Sequence, residues 1–334
     1  MNNFENFSYI KNEQKIAIIV PCYNEEEVIH ETSKRLLEKI KSLAMHKFVS
    51  VESKIVFIDD GSSDNTWHII EKLCFNNPDN FAGIKLSKNK GHQNALLCGL
   101  ILLKDNVDAI ISIDADLQDD INVIDEMLYK YYEGSCEIVY AVRFERKNDS
   151  FFKKLTAYSF YYLVRFLGVD IVFNHADFRL MGKKALYALA EYKEVNLFLR
   201  GIIPMLGFKT EIVHYSRNKR FAGKSKYPLS KMLKFAIDGI TSFSIKPIRL
   251  ITFLGIIIFS GSIVMILYFI IIYLNHHTVP GWASIVCSLL GIGGLILFSI
   301  GITGEYIGKI YLETKQRPRF HVEKYLYEGK DFIF

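Results

Sequence analysis

The chain has 334 residues, half of them hydrophobic, with 41 Lys and Arg against 36 Asp and Glu for a net charge of +5. That length exceeds one small domain and leaves room for a second region, while so slight a basic excess assigns no partner by itself. Five scattered cysteines (Cys22, Cys74, Cys98, Cys136, Cys287) form no CxxC pair, which argues against zinc and against a disulfide framework. Met1 to Lys15 is polar, so no secretory signal is expected.

From Ile16 to Val142, short β-branched runs alternate with amphipathic stretches. Ile16–Val20 reads as a buried strand ending at Pro21, followed by a helix from about Glu25 with Ile29, Leu36, Ile40 and Leu43 on one face. Further strands are expected at Ile55–Ile58, Ala82–Leu86, Ala109–Ile113 and Ile138–Val142. Strands alternating with helices predict an α/β domain with a mostly parallel, doubly covered sheet. Such sheets bind ligands at the carboxyl ends of their strands, and that is where the polar motifs lie.

Phe151–Leu167 and Leu229–Phe243 mix apolar and basic residues in the manner of interfacial helices or of ordinary surface helices of a soluble domain. Ile248–Leu274 and Ala283–Ile307 are each long enough to cross a hydrocarbon core of about 30 Å. Past Arg249, neither holds an acidic or basic residue before Glu305. The connecting Asn275–Trp282 has no Lys or Arg, whereas Lys246 and Arg249 precede the first span and Lys309, Lys315, Arg317 and Arg319 follow the second. A transmembrane hairpin with both outer ends in the cytoplasm follows from that asymmetry. Gly291, Gly294, Gly301, Gly304 and Gly308 would let spans approach closely, within one chain or in a homo-oligomer. The expected organisation is a catalytic domain over 1–228, an amphipathic helix over 229–246, two spans over 247–311 and a cytoplasmic tail over 312–334.

Asp114-Ala115-Asp116-Leu117-Gln118 directly follows an apolar strand. Two carboxylates one residue apart at a strand end can share Mg²⁺ or Mn²⁺ with a diphosphate, and Gln118 adds a neutral oxygen. Pro21-Cys22-Tyr23-Asn24-Glu25 closes the first strand; Tyr23 could stack on a base, while Asn24 and Glu25 suit either base and ribose or a helix start. Asp59-Asp60-Gly61-Ser62 suits either base and ribose recognition or a turn and cap.

In their order along the chain, PCYNEE, DDGSSDNT, NKGHQNAL and DADLQD resemble family 2 glycosyltransferases with the nucleotide-sugar-binding GT-A fold. Asn174–Arg179, Arg217–Tyr227, the two spans and the Gly304–Arg319 tail resemble the polyprenyl-phosphate branch, including bactoprenol glucosyltransferases and dolichol-phosphate mannose synthases. Cys22 stands where that branch is expected to carry Ala or Val.

The resemblance implies Mg²⁺ or Mn²⁺ on Asp114, Asp116 and Gln118, with Ala115 beside the nucleotide-sugar. Pro21, Tyr23, Glu25 and Asp59 or Asp60 would hold the nucleoside, and Arg217, Arg220, Lys224 and Lys226 would close over the diphosphate. Arg143, Lys153 and Lys154 are candidates to grip a lipid phosphate. Asp177 falls where the family is expected to carry a catalytic base; a lipid phosphate, already largely dianionic, needs positioning more than deprotonation. That leaves Asp177 the alternative of orienting Arg179 or the sugar. The implied partners are a UDP-sugar, polyprenyl phosphate and the bilayer, with no nucleic acid, and the implied reaction is inverting. A processive polysaccharide synthase would carry a Gln-x-x-Arg-Trp motif, but neither Trp67 nor Trp282 follows an Arg. A non-catalytic nucleotide-sugar-binding scaffold would not need the acidic pair.

Overall fold

The computed structural model describes residues 13–143, 175–195, 198–216, 246–274 and 281–333. They fall into two units, one formed by residues 1–156, 171–227 and 318–334, the other by 157–170 and 228–317.

The first unit is built on a nine-stranded sheet. Its strands are β1 (Ile16–Cys22), β2 (Lys54–Asp59), β3 (Phe81–Leu86), β4 (Ala109–Ser112), β5 (Ile138–Arg143), β6 (His175–Gly182), β7 (Thr210–Tyr215), β8 (Val322–Tyr327) and β9 (Lys330–Ile333). The order across the sheet is β7-β5-β6-β4-β1-β2-β3-β8-β9. The five expected strands are β1 to β5. Every residue of β1, β2 and β4 is buried, as befits central strands covered on both faces. Their coverings include helices α1 (Ile29–Met45), α2 (Thr66–Asn76), α3 (His92–Leu103) and α4 (Val123–Glu133), with α5 (Lys183–Glu191) and α6 (Leu199–Met205) later in the chain. Ile29, Leu36, Ile40 and Leu43 are the buried face of α1, as their spacing predicts.

Two expectations need correction here. Helix α1 starts at Ile29, with Val28 as its N-cap, so Asn24 caps nothing and Glu25 precedes the helix. Asn24 instead adopts φ +54° and accepts a hydrogen bond from the Ser63 N–H. The carboxyl-terminal segment is also more than a tail. Strand β8 pairs antiparallel with β3, and β9 closes a two-residue hairpin on it at Glu328 and Gly329, both with positive φ. Lys85 pairs with Glu323 at 2.9 Å, and the Ser87 N–H donates to the His321 carbonyl.

Parallel strands β2 and β3 lie on one side of β1, while β4 lies on the other. The sheet therefore reverses direction between β1 and β4, and a crevice opens at the carboxyl ends of those two strands. Strand β6 runs antiparallel between β4 and β5, with Ser112 opposite Arg179. Its amino end is thereby carried to the carboxyl end of β4, which delivers Asp177 to the loop holding Asp114.

The second unit contains α7 (Lys246–Leu274) and α8 (Trp282–Lys315). Both expose large apolar side chains, among them Phe253, Ile256, Leu267, Leu289, Leu297 and Phe298. Among the described residues, one stretch, Gly291–Lys315, is long and apolar enough to cross a membrane. Two spans were expected; α8 also runs past Ile307 to Lys315 without a break. The interfacial helices expected at 151–167 and 229–243 lie outside the described residues.

Leu326 is buried where β8 joins the sheet. Leu326→Ala should lower stability by about 2–4 kcal/mol in thermal or denaturant unfolding of the detergent-solubilised chain. A loss below about 0.5 kcal/mol would place β8 outside the folded sheet.

Candidate active site

The loops after β1 and β2 are laced together. Asn24 N–H donates to Ser62 Oγ at 2.9 Å, Glu25 N–H to Thr66 Oγ1 at 2.8 Å, and Asn65 N–H to Glu26 Oε2 at 3.0 Å. Gly61 permits a third loop to join them. Its φ is +65°, and a Cβ there would lie 2.6 Å from the backbone of Lys88 and Asn89. Asp59 is fully buried, accepts from the Ser62 N–H, and is pushed upward in pKa by burial. Asp60 is also buried, and its two oxygens accept the N–H groups of Lys90 and Gly91 at 2.7 and 2.8 Å. Asp60 thus anchors the start of α3. Tyr23 keeps 39% of its surface exposed beside Pro21 and Cys22, which are buried.

Asp114 and Asp116 follow β4 at the crevice. Leu117 turns at φ +56°, which lets Asp116 Oδ1 accept the Gln118 N–H at 3.1 Å. The Ala115 carbonyl accepts from Thr32 Oγ1 at 2.8 Å and ties the loop to α1. Burial pushes Asp114 up to about 6, with the charges of Asp119, Asp177 and Asp116 adding to the rise and His92 opposing it.

His92 is the first residue of α3, and its Nε2 lies 3.5 Å from Asp114 Oδ1 and 3.4 Å from Asp177 Oδ2. Burial would lower its pKa, but the bond to Asp177 and the charge of Asp114 raise it. Asp177 is held from its other side by Arg179 and by Arg200. Burial would raise its pKa, yet Arg200, His92 and Arg179 together hold it well below the usual carboxylate range.

Arg143, expected to grip a lipid phosphate, is partly exposed and paired with its neighbours. Its Nη2 donates to Asp119 Oδ1 at 3.2 Å and its Nε to the Tyr215 hydroxyl at 3.0 Å. Tyr215 in turn donates to the same Asp119 oxygen at 2.5 Å. Lys153, Lys154, Arg217, Arg220, Lys224 and Lys226 lie outside the described residues.

Comparison with known proteins places this geometry. The pattern of glycosyl transferase family 2 matches residues 17–189, from within β1 to within α5. The chain belongs to that family. It is 53% identical to "Uncharacterized glycosyltransferase YkoT" of Bacillus subtilis, over 93% of this chain and 92% of that one. It is 38% identical to "Prophage bactoprenol glucosyl transferase homolog" of Escherichia coli, over 93% of this chain and 99% of the relative. The same identity, over 92% and 99%, relates it to "Bactoprenol glucosyl transferase" of Shigella phage SfX. The protein is accordingly a glycosyltransferase, and its sheet is mostly parallel, as the sequence predicts.

The structure brings Asp59, Asp60, Asp114, Asp116 and Asp177 to one end of the sheet. It also assembles residues to which the sequence reading gave no role. NKGHQNAL stood out as a motif, yet its work is visible only in three dimensions. His92 bridges Asp114 and Asp177, while Gln93 Oε1 accepts the Leu199 N–H at 3.0 Å and so fixes the start of α6. Asp119, which neutralises Arg143, was quoted in a motif without a function.

Asp60→Asn would keep one acceptor and set an amide NH₂ against a backbone N–H. That change should cost about 1–3 kcal/mol in unfolding experiments. An unchanged unfolding midpoint would contradict the anchoring of Lys90 and Gly91.

Proposed function

We propose that this glycosyltransferase moves a sugar, glucose from UDP-glucose, onto polyprenyl phosphate at the cytoplasmic face of the membrane. One observation carries the reading: the paired Asp114 and Asp116 sit at the carboxyl end of β4, beside the point where the sheet reverses direction. Relatives named for bactoprenol glucosyl transfer, alike over nearly the whole chain, support the lipid acceptor and the sugar.

Asp114 and Asp116, with Gln118, fit a divalent cation, Mg²⁺ or Mn²⁺. Their oxygens are the hard donors such ions prefer, and the crowding of Asp119 and Asp177 against Asp114 is relieved by positive charge. A cation bound there would offset charge developing on the departing diphosphate. Tyr23 and Glu25 border the nucleoside end, and the Asp60-anchored loop fixes the floor. Arg217, Arg220, Lys224 and Lys226 are proposed to cover the diphosphate. In the transfer, an acceptor phosphate oxygen attacks the anomeric carbon as the bond to the nucleoside diphosphate breaks from the opposite face. The attacking oxygen already carries its charge at neutral pH, so no protein base has to remove a proton.

Chain connectivity supports the membrane hairpin. Strands on both sides of the apolar region, β1 to β7 before it and β8 and β9 after it, belong to one sheet. A segment leaving and rejoining one folded sheet crosses a bilayer an even number of times. Gly291–Lys315 supplies one crossing, and α7, 29 residues and therefore about 44 Å long, is the proposed second. Lys246, Arg249, Lys315 and Arg317 at the outer ends, against none in 275–282, favour a cytoplasmic catalytic domain.

Purified protein with Mn²⁺, UDP-glucose and undecaprenyl phosphate should put label into an organic-extractable lipid, and Asp116→Ala or chelation should remove at least 99% of it. Labelling that survives Asp116→Ala would dismiss the acidic pair from the reaction. Below pH about 6, Asp114 keeps a proton that the cation has to displace, so the half-activating Mn²⁺ concentration should climb up to about tenfold per pH unit. A requirement flat from pH 5 to pH 8 would contradict this.

A further inference from the structure

Asp177 is a saturated carboxylate. Its Oδ1 accepts from Arg179 Nη2 at 2.7 Å and from Arg200 Nε at 3.2 Å. Its Oδ2 accepts from Arg200 Nη2 at 3.1 Å and faces His92 Nε2 at 3.4 Å. A carboxylate offers about four acceptor positions, and here each has a partner. A group so engaged has no lone pair ready for a substrate proton, and protonating it would break contacts to two guanidinium groups.

The same contacts make Arg200 an unusually well-fixed side chain. A long, partly exposed arginine ordinarily loses up to about 2 kcal/mol of rotamer freedom when it is immobilised. Arg200 has 33% of its side chain exposed, yet Asp177 grips it through two parallel N–H···O bonds. Its backbone is fixed as well: the Leu199 N–H is held by Gln93, and Phe198 and Leu199 are buried. The first turn of α3 therefore braces both ends, with His92 on Asp177 and Gln93 on the residue before Arg200. Asp177 is linked through His92 to Asp114, so the braced guanidinium stands three contacts from the proposed cation ligand Asp114. A planar guanidinium fixed in advance at such a place is suited to phosphate oxygens.

We propose that Arg200 is a phosphate-binding side chain of this enzyme and that Asp177 is its positioning residue, not a proton acceptor. The inference rests on the transfer reaction proposed above. The phosphate belongs to the lipid acceptor or to the donor diphosphate, two sources of one chemistry that separate measurements distinguish.

The test uses the full chain in detergent or nanodiscs, comparing wild type with Arg200→Gln, Arg200→Lys, Asp177→Asn and the Asp177→Asn/Arg200→Gln double variant. It reads kcat, the KM for undecaprenyl phosphate, the Kd for UDP with Mn²⁺, and the unfolding temperature. Arg200→Gln should raise the KM for the lipid phosphate, or the Kd for UDP, by roughly ten- to a hundredfold. Whichever rises identifies the source. Arg200→Lys should recover part of the loss. Asp177→Asn should move the same constant, and the double variant should be no worse than Arg200→Gln alone, because the clamp has nothing left to position.

The proposal is overturned if Arg200→Gln shifts neither constant, or if Asp177→Asn lowers kcat a hundredfold or more at unchanged KM and Kd. Arg200 is partly exposed, so its variants report even where Asp177→Asn fails to fold. Absence of lipid labelling by the wild type would defeat the transfer reading instead, and the UDP measurement would then decide on Arg200 by itself.

Discussion

The site is organised around a repulsion among neighbouring carboxylates. Asp114, Asp116, Asp119 and Asp177 converge at the carboxyl end of β4, and burial together with mutual charge pushes Asp114 up to about 6. Each neighbour is managed differently. Asp177 is neutralised by Arg179 and Arg200, Asp119 by Arg143, and His92 stands between Asp114 and Asp177. These countercharges meet Asp119 and Asp177, and the Asp114–Asp116 pair beside them is the proposed cation site. Burying ionisable groups in this way is costly unless each is paired, and the residues that do the pairing come from distant parts of the chain.

Topology makes that gathering possible. The reversal between β1 and β4 opens the crevice, and antiparallel β6 turns Asp177 back toward Asp114. The Ser112 hydroxyl donates to the Asp177 carbonyl at 2.5 Å and locks β6 to β4 at that point. Insertion of one antiparallel strand into a parallel sheet thus does what no local motif could: it sets an acidic residue 63 positions away beside the acidic pair.

Much of this was legible in the sequence. The apolar runs of β1 to β5 and the buried face of α1 are local signals of period and composition, and the structure keeps them. The acidic strand ends were recognisable because each carboxylate pair directly follows an apolar run, although their structural and binding uses are not separable by sequence. Strand β6 was missed because His-Ala-Asp-Phe-Arg carries too many polar residues to resemble a strand; it is stabilised by neighbours on both sides. Strands β8 and β9 did leave a trace, in the strand-favouring Val322, Tyr325 and Tyr327 and in the Glu328-Gly329 turn, but their partner β3 lies more than 230 residues earlier. The pairing of Arg143 with Asp119 and Tyr215 is a tertiary fact, because sequence reveals charge and conceals pairing. The same holds for His92 and Gln93, whose motif was visible while their contacts were not.

The central claim is that Asp114 and Asp116 hold a cation against the diphosphate of the donor. Electron–nuclear double resonance on Mn²⁺ bound to the full chain with UDP tests it directly. The account predicts ³¹P couplings from the diphosphate at directly coordinated distance, lost together with the bound Mn²⁺ in Asp114→Asn and Asp116→Asn. Mn²⁺ that binds with unchanged couplings in both variants would contradict it.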